Sequence, residues 1–350
     1  MPQTSPIGLG VIGLGNIARQ CLLACHAREV PFRLAGLCSL DPEHLARNAA
    51  EFGVEFTTTD YHELIANADV EAVAIYSHDP QHFPMIEAAL TAGKDVVVTK
   101  PMVISTAEAT RVLDLLEQSG RKLLVGETSR YAPHCIAAHK LVRDGDLGRL
   151  VFGETHYVHD MRPVFDKTPW RYLEPKDFPI GSMCHPISLI TWYFGEVDEV
   201  STVAVNSGVD PRYPAHTPDT YLVNLRFQNG GIGRILGAFG IIEPPLPMES
   251  LSLFGTQGSL VRNEVVFDRI PGKPVARLEF PFENDSHRRE VPRYLNEFAR
   301  ELIEGTPTSS PARDAAHGVA VGEAIKESVR TRIPVKVTPI ASAANASSTT

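Results

Sequence analysis

Between residues 7 and 126, short apolar runs alternate with segments of helical periodicity, and that alternation leaves few folds open. The runs 7–12, 34–38, 72–76, 96–98 and 123–125 are apolar on both faces, as strands buried between two layers must be. Helix signals fall between them. Asp60 with Glu63, and Ser105 with Glu108, have the spacing of a capping box. After Ser105, one helix face carries Ala109, Val112, Leu113 and Leu116 before Gly120 stops it. Strict strand–helix alternation predicts a doubly wound parallel sheet covered by helices. At 350 residues the chain is longer than one hydrophobic core usually supports, so a second domain is expected.

Beyond about residue 126 the strand candidates follow one another: 150–158, 197–206, 219–228, 231–240, 250–254, 259–262 and 264–268. Asn229-Gly230 signals a hairpin because both residues tolerate positive φ, and Gly255-Thr256-Gln257-Gly258 reads as another turn. A large, mainly antiparallel open sheet is predicted, with helices near 133–143, 185–194, 291–304 and 312–330 over one face. That pattern is α+β. The expected domains are residues 1–126 and 127–338, followed by a small, polar tail at 339–350 with the composition of a disordered segment. Val203, Val205, Leu222, Leu225, Phe227, Ile232 and Ile235 are assigned to the uncovered face. Burying them against another copy gives a homodimer or homotetramer.

The net charge of −9, with no run of Lys or Arg, disfavours nucleic acid and anionic membranes as partners. No uninterrupted apolar stretch reaches the roughly 18 residues of a spanning helix. The first six residues lack the basic start and apolar core of a signal peptide. The five cysteines, Cys21, Cys25, Cys38, Cys135 and Cys184, are scattered and contain no CxxC. Reduced thiols and a cytoplasmic location follow as expectations. Cys21 and Cys25 share a helix face, but two thiols do not make a metal site, and no metal is expected.

Gly13-Leu14-Gly15-Asn16-Ile17-Ala18 follows the first strand and opens a helix, with the spacing GxGxxA. The first Gly permits a tight turn, the second lets backbone approach a pyrophosphate, and Ala18 allows close helix-on-strand packing. Gly13, Gly15, Asn16 and Ile17 are therefore candidate cofactor-binding residues, with free amides at the helix start facing the phosphates. An N-terminal Rossmann domain binding NAD(P) is the expectation. At the end of the second strand, Ser39 stands where an acidic residue would hold a ribose 2′-hydroxyl. Ser39 and His44 can accept a 2′-phosphate, and Asp41 can equally fold back onto the hydroxyl, so NAD and NADP are not separated.

Tyr76-Ser77-His78-Asp79-Pro80-Gln81-His82, Ala89-Leu90-Thr91-Ala92-Gly93-Lys94 and Val96-Val97-Val98-Thr99-Lys100-Pro101 give the resemblance. The chain resembles the glucose–fructose oxidoreductase/inositol dehydrogenase family of nicotinamide-dependent oxidoreductases. The family pattern closes this strand on Glu-Lys-Pro; here Thr99 replaces the Glu while Lys100 and Pro101 match. Further matches are Val125-Gly126, Arg130-Tyr131, Gly145-Asp146-Leu147-Gly148-Arg149, Gly255-Thr256-Gln257-Gly258-Ser259 and the segment from Glu323 to Val335. The ordered set covers about residues 7–337.

The resemblance implies Lys100 and His185 as catalytic residues. His185 lies in Gly181-Ser182-Met183-Cys184-His185, with Gly195 ten residues on. Many relatives have an Asp four residues before this His and an acid three after; here those positions are Gly181 and Ser188. Read from the residues alone, His185 is more readily a capping or packed residue at the N-terminal end of an amphipathic helix. Lys100, Arg130, His159, Asp160 and His185 are the candidate substrate ligands. His159 and Asp160 are also readable as an exposed strand end, and His156 and His159 point to opposite faces, against a shared metal. Ser77, His78, His82, Thr99 and Lys100 lie after strands, at the sheet edge where such folds bind cofactor. Trp170 and Arg171 resemble a family segment near the nicotinamide, or form a surface cation–π pair.

The chemistry implied is hydride transfer between a nicotinamide and a secondary alcohol or ketone of a sugar, inositol or related polyol. A histidine suits the proton step because its pKa lies near neutrality. Two other readings stay open. One is an enzyme that recycles a bound cofactor as an epimerase, lyase or redox-assisted hydrolase. The other is a cofactor-sensing regulator without catalysis.

Overall fold

A computed structural model describes residues 5–168, 177–267, 276–279 and 288–340 of the chain, so the tail expected to be disordered lies almost wholly outside the described residues. Two compact units divide the chain. The first runs through Tyr131 and takes in the stretch ending at Ala316; the second begins at Ala132 and takes in His317–Pro339.

The first unit is built on β1 (Ile7–Ile12), β2 (Phe32–Cys38), β3 (Thr57–Thr58), β4 (Ala72–Ile75), β5 (Asp95–Thr99) and β6 (Leu123–Gly126). They form one sheet in the order β3-β2-β1-β4-β5-β6, every pairing parallel. The order reverses between β1 and β4, and ligands of such sheets bind outside the carboxyl ends of the strands at that point. Residues 72–75 and 96–98 are fully buried, which explains their unbroken apolar character. β3 has no counterpart among the expected strands: it is two threonines pairing with Leu37 and Cys38, too short for any periodicity.

The capping signals work, though not reciprocally. Asp60 accepts from the His62 amide at 2.8 Å, while Glu63 takes the Thr58 hydroxyl at 2.5 Å. Ser105 accepts from the Glu108 amide, and Glu108 reaches back to the amide of Ile104. Gly120 ends that helix at φ 65°.

The helix Glu290–Glu304 corrects the domain boundaries. Its sequence position suggests a place over the second sheet, but it belongs to the first unit. Val291, Tyr294, Leu295 and Phe298 are buried in the cluster formed by Leu9, Val11 and Leu22. The Tyr294 hydroxyl lies 2.8 Å from that of Tyr76, and Phe298 stacks on Phe32. An amphipathic face demands burial without specifying which sheet supplies it.

The second unit holds β7 (Leu150–Val158), β8 (Val197–Val205), β9 (Thr220–Phe227), β10 (Ile232–Ala238), β11 (Glu249–Gly255), β12 (Gly258–Val261), β13 (Glu264–Phe267), β14 (Ala276–Glu279) and β15 (Val335–Lys336). Their order is β14-β13-β12-β11-β7-β10-β9-β8-β15, antiparallel throughout except for β7 beside β10. The helix Cys184–Phe194 packs on one face, where Thr155 donates to the Pro186 carbonyl and Phe194 lies against Gly153. Leu225, Phe227 and Ile235 are buried, which corrects their assignment to the open face. Strand side chains alternate, and these three share parity with Val223 on the covered side. Val203, Val205, Leu222 and Ile232 do lie exposed.

The hairpin at Asn229-Gly230 is present, but only Gly230 has positive φ, at 84°. The Gly230 amide donates to Phe227 and the Phe227 amide to Gly231, while the Asn229 side chain accepts from Gly231. This is a three-residue loop with a bulge, not a two-residue primed turn. The turn at 255–258 packs on Gly148: the Thr256 and Gln257 amides donate to the Arg149 and Leu147 carbonyls. Two motifs that are separate in sequence are thus one packed feature. Among the described residues no helix is long and apolar enough to cross a membrane.

Candidate active site

The parallel sheet of the first unit brings the ends of β1, β2, β4 and β5 to one edge. Gly13 has φ 80°, and a Cβ there would sit 2.5 Å from the carbonyl oxygen of Tyr76, so only glycine lets β1 turn this close to the end of β4. Its amide donates to the Cys38 carbonyl at 2.9 Å, tying the turn to the end of β2. Gly15 differs. Its φ is −71°, and a Cβ there would meet nothing within 4 Å. What the missing side chain leaves open is space beside the first amides of the helix Asn16–His26. That helix has no side-chain cap and no acid in its first turn, whereas Asp41, Asp60 and Ser105 cap helices elsewhere in the unit. Free amides and an unopposed dipole fit a pyrophosphate. Ala18, fully buried, allows the close packing.

Asp41 is spent locally. One carboxylate oxygen accepts from the Glu43 and His44 amides, each at 3.0 Å, and this capping holds the carboxyl below its usual range. Ser39 and His44 are both part-exposed at this end of β2.

Ser77 and exposed His78 follow β4; Thr99 ends β5 and Lys100 comes next, both part-exposed. His82 departs from the cofactor-side expectation. It is fully buried, with Nδ1 2.7 Å from the Pro101 carbonyl and Nε2 3.1 Å from that of Ser77. Burial pushes its pKa down, with the two carbonyls opposing. A ring in this position holds two loops together and presents neither nitrogen to a cofactor. Arg130, expected at substrate, is likewise 1% exposed, and its guanidinium donates to the Ser309 carbonyl and the Asp314 carboxylate, both at 2.7 Å. It anchors the returning segment of the first unit.

In the second unit, His185 lies on the first turn of the helix Cys184–Phe194 and is almost wholly buried. The Tyr157 ring lies 5.1 Å away. His159 follows β7; its Nδ1 is buried with no hydrogen-bond partner among the described residues, and burial pushes the imidazole pKa down. Asp160, expected beside substrate, is buried and bonded to the Arg162 guanidinium through both carboxylate oxygens. That pairing holds its pKa down to about 2 and leaves it a structural acid. Trp170 and Arg171 lie outside the described residues.

Residues 7–127 match the model of an oxidoreductase family with an NAD-binding Rossmann fold, and residues 135–261 match the GFO/IDH/MocA C-terminal domain. The chain belongs to the GFO/IDH/MocA family. It is similar to the inositol 2-dehydrogenase of Rubrobacter xylanophilus, 29% identical over 232 residues, 65% of this chain. That match spans 64% of the relative's own length. It is also similar to the levoglucosan dehydrogenase of Pseudarthrobacter phenanthrenivorans, 24% identical over 73% of each chain. In fold it is similar to scyllo-inositol dehydrogenase from Lactobacillus casei with bound NAD(H) and scyllo-inositol, with a TM-score of 0.80, 20% identity, and coverage of 95% and 99% of the two chains.

This GFO/IDH/MocA chain departs from the family pattern at Thr99, Gly181 and Ser188, and its second unit holds an acid near His185 that sequence reasoning missed. Glu249 Oε1 lies 4.0 Å from His185 Nδ1. A signal for it exists: Glu249 shares strand parity with buried Leu251 and Leu253, and an acid on the covered side of a strand marks a functional candidate.

Proposed function

We propose that this chain is an NAD(P)-dependent dehydrogenase acting on a secondary alcohol of a sugar, inositol or related polyol, with Lys100 and His185 sharing the proton work. The observation that carries the reading is Lys100, which directly follows β5 on the same sheet edge as the open, uncapped helix start at Gly15. Family membership supports the reading, as do relatives named as inositol and levoglucosan dehydrogenases.

Gly13, Gly15, Asn16 and Ile17 would hold the pyrophosphate, with Ser39 and His44 at the adenosine ribose and Ser77, His78 and Thr99 lining the cofactor side. When bound, the nicotinamide supplies the hydride acceptor or donor. Lys100 would hydrogen-bond the reacting hydroxyl and orient it. His185 would take its proton in the oxidative direction and return it in the reductive one. His159, whose Nδ1 has no hydrogen-bond partner among the described residues, is the remaining candidate for a substrate hydroxyl. Ser39 carries no charge to repel a 2′-phosphate, and Asp41 is committed to its cap, so both cofactors are accommodated. A recycling enzyme or a non-catalytic regulator is not favoured by relatives named as dehydrogenases.

The exposed row of Val203, Val205, Leu222 and Ile232 supports a homodimer or homotetramer through the second sheet. Five buried cysteines, none of them in a disulfide, fit a reducing cytoplasm. The test is a panel of inositols, anhydrosugars and aldoses followed at the nicotinamide absorbance with NAD and with NADP. Cofactor reduction by one of these polyols is expected, and cofactor binding without reduction by any of them would contradict the proposal.

A further inference from the structure

We propose that Glu249 is the positioning carboxylate of His185, replacing across the sheet the acid that Gly181 and Ser188 do not supply; this rests on His185 being the proton carrier proposed above. β11 runs antiparallel to β7, and Glu249 stands directly opposite Tyr157 in that ladder. Side chains directly opposite in an antiparallel pair project to the same face. For Tyr157 that face is the one under the helix Cys184–Phe194: its strand neighbour at 155 bonds Pro186, and its own ring lies 5.1 Å from the His185 imidazole. Glu249 therefore reaches the histidine from the sheet below, and its Oε1 stands 4.0 Å from Nδ1. Its neighbour Ser250 points to the other face and bonds His156 at 2.8 Å, which fixes the register from both sides.

The geometry supports more than proximity. His185 is 6% exposed and Glu249 29%, so their interaction is only partly screened by solvent. Movement of about 1 Å brings the pair to hydrogen-bond length, a tightening common when a site fills. A carboxylate at Nδ1 keeps the ring proton there and presents Nε2 as the base, and it stabilises the imidazolium once the proton arrives. Among the described residues, titratable groups near the ring include the Tyr157 phenol, His159 just after β7 with its ring 6.0 Å from that of Tyr157, and the adjacent Cys184 thiol. The helix start beneath His185 opposes its protonation, which makes a nearby carboxylate the more necessary.

Glu249→Gln keeps the shape and removes the charge. In an NMR titration of the apoprotein, with the His185 signal assigned by its loss in His185→Ala, the His185 pKa should fall by about half a unit to one unit. Glu249→Asp should recover part of that shift. With the best substrate of the panel, the acid limb of kcat should move to lower pH and kcat should drop about tenfold, with the cofactor Kd within about twofold. An unchanged His185 pKa, or a normal kcat and acid limb in Glu249→Gln, overturns the assignment. The titration does not need turnover, so it is read apart from the role of His185 itself: full activity in His185→Ala would sink that role and leave the titration standing.

Discussion

The imidazole of His82 places Nδ1 2.7 Å from the carbonyl oxygen of Pro101, the residue after Lys100. A neutral ring has one N–H, which belongs at that shorter contact; Nε2, 3.1 Å from the Ser77 carbonyl oxygen, donates a second hydrogen bond only when the ring is protonated. His82 thus fixes the backbone that carries the proposed catalytic lysine to the loop after β4.

Removing it should cost stability in a pH-dependent way. The folded pKa of His82 is depressed below 6.5 by burial, so its contribution is complete above about 6.5 and is lost as pH falls toward the folded value. The Tm difference between the parent and His82→Ala should be largest near pH 7.5, equivalent to about 2 kcal/mol, and should shrink by pH 5.5. A difference that does not change across this range would contradict the clamp.

Gly13 and Gly15 should separate folding from binding. Gly13→Ala meets the Tyr76 carbonyl and an unfavourable φ, and should lose about 1–3 kcal/mol of stability. Gly15→Ala enters open space at an ordinary φ, so its Tm should match the parent's. Its added methyl group occupies the phosphate approach, so NADH affinity measured by fluorescence titration should fall at least about tenfold. Parental NADH affinity in Gly15→Ala would move the pyrophosphate elsewhere.

Ser39 should set cofactor preference. Ser39→Asp introduces a charge repelling a 2′-phosphate and should raise the NAD over NADP preference by about tenfold, or 1.4 kcal/mol. Equal Kd ratios in the parent and the variant would show that Ser39 does not reach the ribose.

Much of the fold is legible in the amino-acid sequence, and the reasons are local. The first sheet declares itself in apolar runs such as 96–98, and the second in period-two strands such as Thr220–Phe227. What stays hidden depends on partners far away in the chain. The destination of Glu290–Glu304 is set by the core around Leu9, and the fate of Arg130 by Ser309 and Asp314. Asp160 has a near partner in Arg162, but only the fold shows that the pair closes on itself. Glu249 meets His185 through a strand register that spacing alone cannot specify.

The open face of the second sheet should join copies of the chain. Sedimentation at micromolar concentration should give a multiple of 38.3 kDa, and Val203→Glu with Ile232→Glu should return the monomer mass. A parent protein sedimenting at 38.3 kDa would refute this interface.

Steady-state turnover of Lys100→Ala, His185→Ala and the double variant, alongside cofactor Kd, tests the central claim most directly. General acid–base groups contribute roughly 10²–10⁴-fold, so each single variant should lose that much kcat while cofactor Kd stays within about threefold. The double variant should fall little further, because the two groups serve one step. Near-parental turnover in both single variants would contradict the proposed proton transfer.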